Sequence, residues 1–428
     1  MQAVDIHNLE LLLLFLLALV VVFAALARRF QTPYPIVLVV GGLALSLLPG
    51  IPRVRLNPDV VFLVLLPPLI FATAFHTSWQ NMRRNLGTIL TLAFGLVGFT
   101  VVAVAFATER LLPGFDRRIG FVLGALVAST DAIAASAIAR RMRLPQRIID
   151  ILEGESLVND VSALVALDFA VSILVNNHAP SMTEGCLRLL YLALGGIAVG
   201  LAAGVIIRRG QTRITDAPIE ITLTLVAPYI AYMAAEGIHA SGVMATVATG
   251  LYLGSKRSVS LSARAKVDVS AVWETIDFIL NGIVFILIGL QLPHVLGGIR
   301  DMSAMELLLD VAILSCLLIA LRLGWVSAAS WIRYWFQRLL GKVCSCPPGN
   351  ETFIVGWTGM RGVICLAAAM SLPNLLDNGA AFPQRNLLVF LTFCVIMVTL
   401  VVQGLSLPML IRKFRLIETH DVHKERVA

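Results

Sequence analysis

Apolar residues run through this chain in long stretches, each closed by charged residues or by Pro and Gly. Thirteen stretches have about the length a bilayer-crossing helix needs. They lie near 9–27, 33–50, 57–76, 86–108, 118–140, 148–175, 186–207, 218–235, 239–254, 271–291, 304–332, 352–373 and 386–411. The ninth is the shortest and is rich in small residues from Ser241-Gly242 to Gly254. A spanning helix satisfies its backbone N–H and C=O groups internally, so the pattern predicts an all-α polytopic membrane protein.

Against this apolar background the informative positions are the polar ones. The sixth run opens with Glu153-Gly-Glu155-Ser156-Leu-Val-Asn159-Asp160 and continues as VSALVALDFAV. A carboxylate at such depth costs roughly 2.5–3.5 kcal/mol on insertion scales, where Leu would insert freely, so it reads first as an ion or proton site. Ser156 and Asp160 are four residues apart and stack on one helix face, with Asn159 beside them. Hydroxyl, amide and carboxylate oxygens are hard ligands suited to a small dehydrated cation. Burial disfavours the charged carboxylate, which makes the proton a competitor for the same oxygens. Asp168, two turns on, reads equally well as an interface hydrogen-bonder.

The fifth run is interrupted by Ser129-Thr130-Asp131, side chains that compete with the backbone for hydrogen bonds and so mark a break point. The alternative is a polar helix interface with Asp131 bonded to a neighbour; the expense of the acid favours function. The twelfth run reads Gly356-Trp-Thr-Gly359-Met-Arg361-Gly362. An arginine among glycines at that depth needs a carboxylate partner, and Glu155 is the best placed, which makes Arg361 a structural counter-charge rather than an ion ligand. Arg322, toward the cytoplasmic end of the eleventh run, is expected to snorkel to the interface. Asn281 in the tenth run is expected to glue helices. The two interrupted runs stand seven apart, so the chain divides into inverted-topology repeats, roughly runs 1–6 and 8–13 with the seventh as linker.

Composition agrees with a membrane chain: of 428 residues 58% are hydrophobic and 14% charged, with mean hydropathy +0.88. The net charge of +7 does not point to nucleic acid, because the basic residues cluster in short loops. Loops after the odd-numbered runs and the C-terminal tail hold 23 Lys and Arg, and the opposite loops hold 8. The excess places the N-terminus outside and the C-terminus in the cytoplasm of a multi-pass cell-membrane protein. The first run lacks a basic n-region and reads as a retained helix rather than a cleaved signal peptide. The tail 412–428 is too short for a regulatory domain. Of the six cysteines, Cys344 and Cys346 share a basic loop, but two thiols without a nearby His or second pair read as reduced, not as a metal site. No cofactor is expected.

Four motifs in order resemble the sodium/proton antiporters of the NhaP/NHE type: the Ser-Thr-Asp of the fifth run, EGESLVND, FILNGIVFILIGLQLP and GWTGMRGVICLAAAMSLP. The likeness spans essentially the whole chain and includes Pro67-Pro68-Leu-Ile-Phe71. It implies thirteen helices, a homodimer, and electroneutral exchange of one sodium or lithium ion for one proton. It further implies an ion-translocating core (86–176 and 304–411) moving like an elevator against dimerisation helices (1–80 and 218–291). It makes Asp160 the cation- and proton-binding acid and Asn159 its neighbour, hydrogen-bonding into the break of the fifth run. Ser156 and the Thr130 backbone become further ligands, Asp131 lies in the unwound stretch, and Glu155 and Arg361 form the buried ion pair. Relatives often carry an acid where this chain has Ala72. They often have Asp-Pro where this chain has Asp131-Ala132, which predicts a milder break.

The leading expectation is therefore a Na⁺ or Li⁺/H⁺ antiporter, with K⁺/H⁺ exchange by the same fold as the alternative. An intramembrane aspartyl protease using Asp131 and Asp160 fits less well, because neither acid has a GxGD context and Asn159 and Arg361 would have no role. A channel would require a filter motif that the chain does not show.

Overall fold

A computed structural model describes residues 6–30, 32–48, 58–112, 115–176, 182–214, 216–299, 303–339, 349–376 and 381–416. Cys344, Cys346 and most of the tail lie outside the described residues. Within them the chain is helical, apart from one isolated bridge between Leu375 and Ala381.

With the short helices Trp79–Arg84 and Leu292–Gly297 between them, thirteen longer helical units follow one another among the described residues. They are α1 (Ile6–Arg29), α2 (Tyr34–Ser46), α3 (Pro58–His76), α4 (Leu86–Leu111), α5a (Arg117–Ala128) with α5b (Ala132–Arg141), α6 (Gln146–Asn176) and α7 (Met182–Gln211). Then come α8 (Ala217–Glu236), α9 (Gly242–Ser260), α10 (Ala263–Leu290), α11 (Ala304–Leu339), α12a (Gly349–Trp357) with α12b (Val363–Ser371), and α13 (Arg385–Phe414). By length and composition nine helices of the described residues can cross a membrane. The predicted all-α fold with interrupted fifth and twelfth helices is the one observed.

Packing in a bilayer cannot rely on hydrophobic exclusion between helices, so close backbone approach at small residues takes its place. Gly42 of α2 lies so near α10 that a Cβ there would come within 2.6 Å of the Ile286 carbonyl. Gly250 of α9 meets α3 in the same manner, its would-be Cβ 2.8 Å from Ala74. Two groups of helices result: α1 and α2 pack on α10, which also touches α3 and α8, whereas α5a packs between α4 and α6. In α3, a π-helical turn over Val61–Leu65 precedes Pro67 and Pro68 and accommodates the N–H groups that proline lacks.

The break in α5 is complete. Ser129 and Asp131 are both extended (ψ 138° and 120°). The expectation of a milder break at Ala132 is corrected: Asp131 Oδ1 accepts from the Ile133 N–H at 2.7 Å and caps α5b, so no proline is needed to start it. The Ala132 N–H, which proline would have removed, donates to Ser156 Oγ at 3.3 Å.

Candidate ion site where two broken helices cross

The gaps in α5 and α12 meet. The Asp131 N–H donates to the Met360 carbonyl at 2.8 Å, joining one interruption to the other through backbone alone. Gly362 is needed at this contact because a Cβ there would land on the Asp131 carboxylate. Its backbone is extended (φ −120°, ψ −168°), so the constraint is space rather than conformation. The Cys365 thiol donates to the Ser129 carbonyl at 3.3 Å, which gives that exposed backbone group a partner.

Arg361 lies at this crossing and is buried, but its partner is not Glu155. Its Nε donates to the Val127 carbonyl at 3.1 Å and its Nη1 to the Gly359 carbonyl. Val127 belongs to the last turn of α5a, whose carbonyls have no partner within the helix, so the guanidinium caps the negative end of that helix. The expected Glu155–Arg361 pair is thus corrected. Glu155 pairs with Arg322 of α11, both 2% exposed, through a two-pronged contact of 2.5 Å to Oε1 and 2.9 Å to Oε2. The expectation that Arg322 snorkels fails for the same reason. Helix α11 runs 36 residues to Leu339, about 54 Å, which puts Arg322 in its middle.

Around that pair a network fixes the α5 break. Thr130 Oγ1 donates to Glu155 Oε1 at 2.9 Å, and the Asn159 amide donates to Thr130 Oγ1 at 2.7 Å and to its carbonyl at 3.1 Å. Thr130 and Asn159 therefore stand behind the site rather than on its surface. Asn159 Oδ1 has no partner among the described residues.

On the other side of Asp160 lies a cavity of about 490 Å³. Ser129, Asp131, Ser156, Asp160 and Gly362 line its inner end, and His76, Arg140, Glu153 and Glu274 line its outer end. Asp160 is 6% exposed, and the Ser129 hydroxyl donates to its Oδ1. Asp160, Ser156 and Asp131 are thus brought to one surface. Ser129 joins them and was not singled out by sequence, although it belongs to the same polar triplet. Arg140 holds Glu153 at 2.6 Å beside the mouth. Asp168 pairs with Arg188 at an exposed point between α6 and α7. Asn281, expected to join helices, has no hydrogen-bond partner for either amide atom among the described residues.

A helical membrane bundle whose two interrupted helices cross beside a buried carboxylate has the architecture of a secondary transporter. Comparisons with known proteins agree. A family model described as the transmembrane sodium/hydrogen exchanger matches residues 14–413, and the chain belongs to that family. The chain is 34% identical over 413 residues to an uncharacterised Na⁺/H⁺ exchanger of Mycobacterium bovis, covering 94% of this chain and 74% of that protein. To the Na⁺/H⁺ antiporter ApNhaP of Aphanothece halophytica it is 33% identical over 393 residues, covering 90% and 70%. To a sodium, potassium, lithium and rubidium/H⁺ antiporter of Bacillus pumilus it is 32% identical over 391 residues, covering 89% and 58%. The solved structure of the sodium proton antiporter MjNhaP1 from Methanocaldococcus jannaschii shares the fold, with a TM-score of 0.70 at 19% identity over 95% of this chain and 98% of that one.

Proposed function

We propose that this membrane protein exchanges a monovalent cation, sodium or lithium, for protons by alternating access, with Asp160 holding the cation and the proton in turn. The observation that carries the reading is Asp160 itself, a buried carboxylate at the inner end of a cavity that leads to the arginine-rich end of the bundle. By the positive-inside rule that end is cytoplasmic, so the cavity faces inward. Ser129, Ser156 and Asp131 supply further oxygens on the cavity surface, and Asn159 holds the α5 break from behind through Thr130.

The acids around Asp160 have other duties, which supports a single exchanging carboxylate and hence one cation for one proton. Glu155 is held by Arg322, Glu153 by Arg140, and Asp131 caps α5b. The cavity is bounded by α2, α3 and α10 on one side and by α5, α6 and α12b on the other. This division suits a core of 86–176 and 304–411 moving against dimerisation helices of 1–80 and 218–291.

Purified protein in proteoliposomes tests the reading. An imposed sodium gradient should drive proton movement in the wild type. Asp160→Asn should abolish that movement while leaving the thermal unfolding of the protein in detergent unchanged. Exchange that persists in the variant would refute the assignment. Replacing sodium by lithium and by potassium in the same vesicles separates the readings for the cation.

A further inference from the structure

The cavity carries a second carboxylate that the site above does not use. Asp277 of α10 lines it together with Tyr34 of α2 and Thr73 of α3. It lies on α10, which lines the cavity with α2 and α3, and Glu274, three residues earlier on the same helix face, is the more exposed of the two. Trp273, one turn before Asp277, fixes this part of α10. It is fully buried, its ring lies 4.9 Å from that of Phe71 in α3, and its indole N–H donates to Thr224 Oγ1 in α8 at 3.1 Å. The Tyr34 ring sits 5.8 Å from Phe278, which holds its hydroxyl within electrostatic reach of Asp277.

Asp277 takes part in none of the ion pairs among the described residues. The acids Asp131 and Glu153 lie within electrostatic reach of it, and of these Glu153 is already paired with Arg140. Behind it the amide of Asn281, 0% exposed, lies beside the carboxylate without reaching hydrogen-bond geometry. Like-charged carboxylates lining one cavity repel, and a cation held there relieves that repulsion. A carboxylate, a phenol and the threonine hydroxyl form an all-oxygen surface, which suits a hard monovalent cation and offers nothing to a soft metal.

We propose that Asp277, with Tyr34 and Thr73, forms a loading station where the incoming monovalent cation is held on the α10 wall before it reaches Asp160. The station rests on the antiport reading and deepens it. It concentrates the cation in the cavity, so it acts on the half-saturation of transport more than on the maximal rate.

Sodium-driven proton movement is measured in proteoliposomes at fixed pH over a range of sodium concentrations. Asp277→Asn should raise the sodium concentration for half-maximal rate about tenfold with the maximal rate within about twofold, and Asp277→Glu should restore most of that loss. Tyr34→Phe keeps the ring and removes the hydroxyl, and should raise half-saturation about two- to threefold, which keeps the test alive if Asp277→Asn does not fold. Unchanged half-saturation in Asp277→Asn, or in Tyr34→Phe where the first variant is lost, overturns the station. So does a fall in maximal rate that glutamate does not rescue, since that marks a structural role. A wild type that exchanges, with Asp160→Asn silent and Asp277→Asn normal, removes the station alone. A wild type that exchanges no cation removes the antiport reading with it.

Discussion

Arg322→Met removes one half of an ion pair whose two side chains are each 2% exposed. Methionine fills much of the same volume, so the main consequence is an uncompensated Glu155 carboxylate, which costs about 3–5 kcal/mol when its partner is deleted. At about 2 °C per kcal/mol for a large domain, the midpoint of thermal unfolding in detergent should fall by about 6–10 °C. The double variant Arg322→Met/Glu155→Leu removes both charges and should recover at least half of that loss, because a buried pair replaced by apolar groups is close to neutral. Arg361→Met supplies the contrast. It strands the Val127 and Gly359 carbonyls but no charge, and should cost about 1–3 kcal/mol with no coupling to Glu155. An Arg322→Met protein within about 2 °C of wild type, or a Glu155 coupling larger to Arg361 than to Arg322, would refute the assignment of partners.

Two further variants probe the crossing itself. Gly362→Ala places a methyl group on the Asp131 carboxylate, and exchange in proteoliposomes should fall at least tenfold; normal exchange would mean that the interruptions are not in contact. Ala132→Pro should fold and transport, because proline suits the first position of a capped helix and its gain of about 0.4–1 kcal/mol offsets the long bond lost to Ser156. A melting point lower by more than about 5 °C would show instead that the Ala132 N–H is needed.

Helix number and both interruptions were legible in the sequence because a bilayer enforces hydropathy residue by residue, and short polar side chains and glycines mark where a helix stops. Asp160 stood out for the same reason. What sequence could not give was who pairs with whom. Both Arg322 and Arg361 are buried, but in the sequence Arg322 reads as interfacial and only Arg361, deep among glycines, reads as needing a carboxylate. The choice turned on helix length: α11 continues past 332, where its apolar run was expected to end, to Leu339, which puts Arg322 at mid-helix and leaves Arg361 for the open end of α5a. The roles of Thr130 and Ser129 were unreadable likewise, since successive residues in an extended gap point in opposite directions and only the packed helices decide which one faces the cavity.

The backbone bond from the Asp131 N–H to the Met360 carbonyl bears on how the two interrupted helices can move. A displacement that separated the two halves at the crossing would break this bond together with those from Arg361 to the Val127 carbonyl and from Cys365 to the Ser129 carbonyl. The two interrupted helices are therefore riveted together where each is broken. Under the proposed antiport reading, a motion that opens the Asp160 cavity to the opposite face would carry both interruptions together and slide along the α3 and α10 wall, leaving the geometry around the carboxylate the same at each end of its travel.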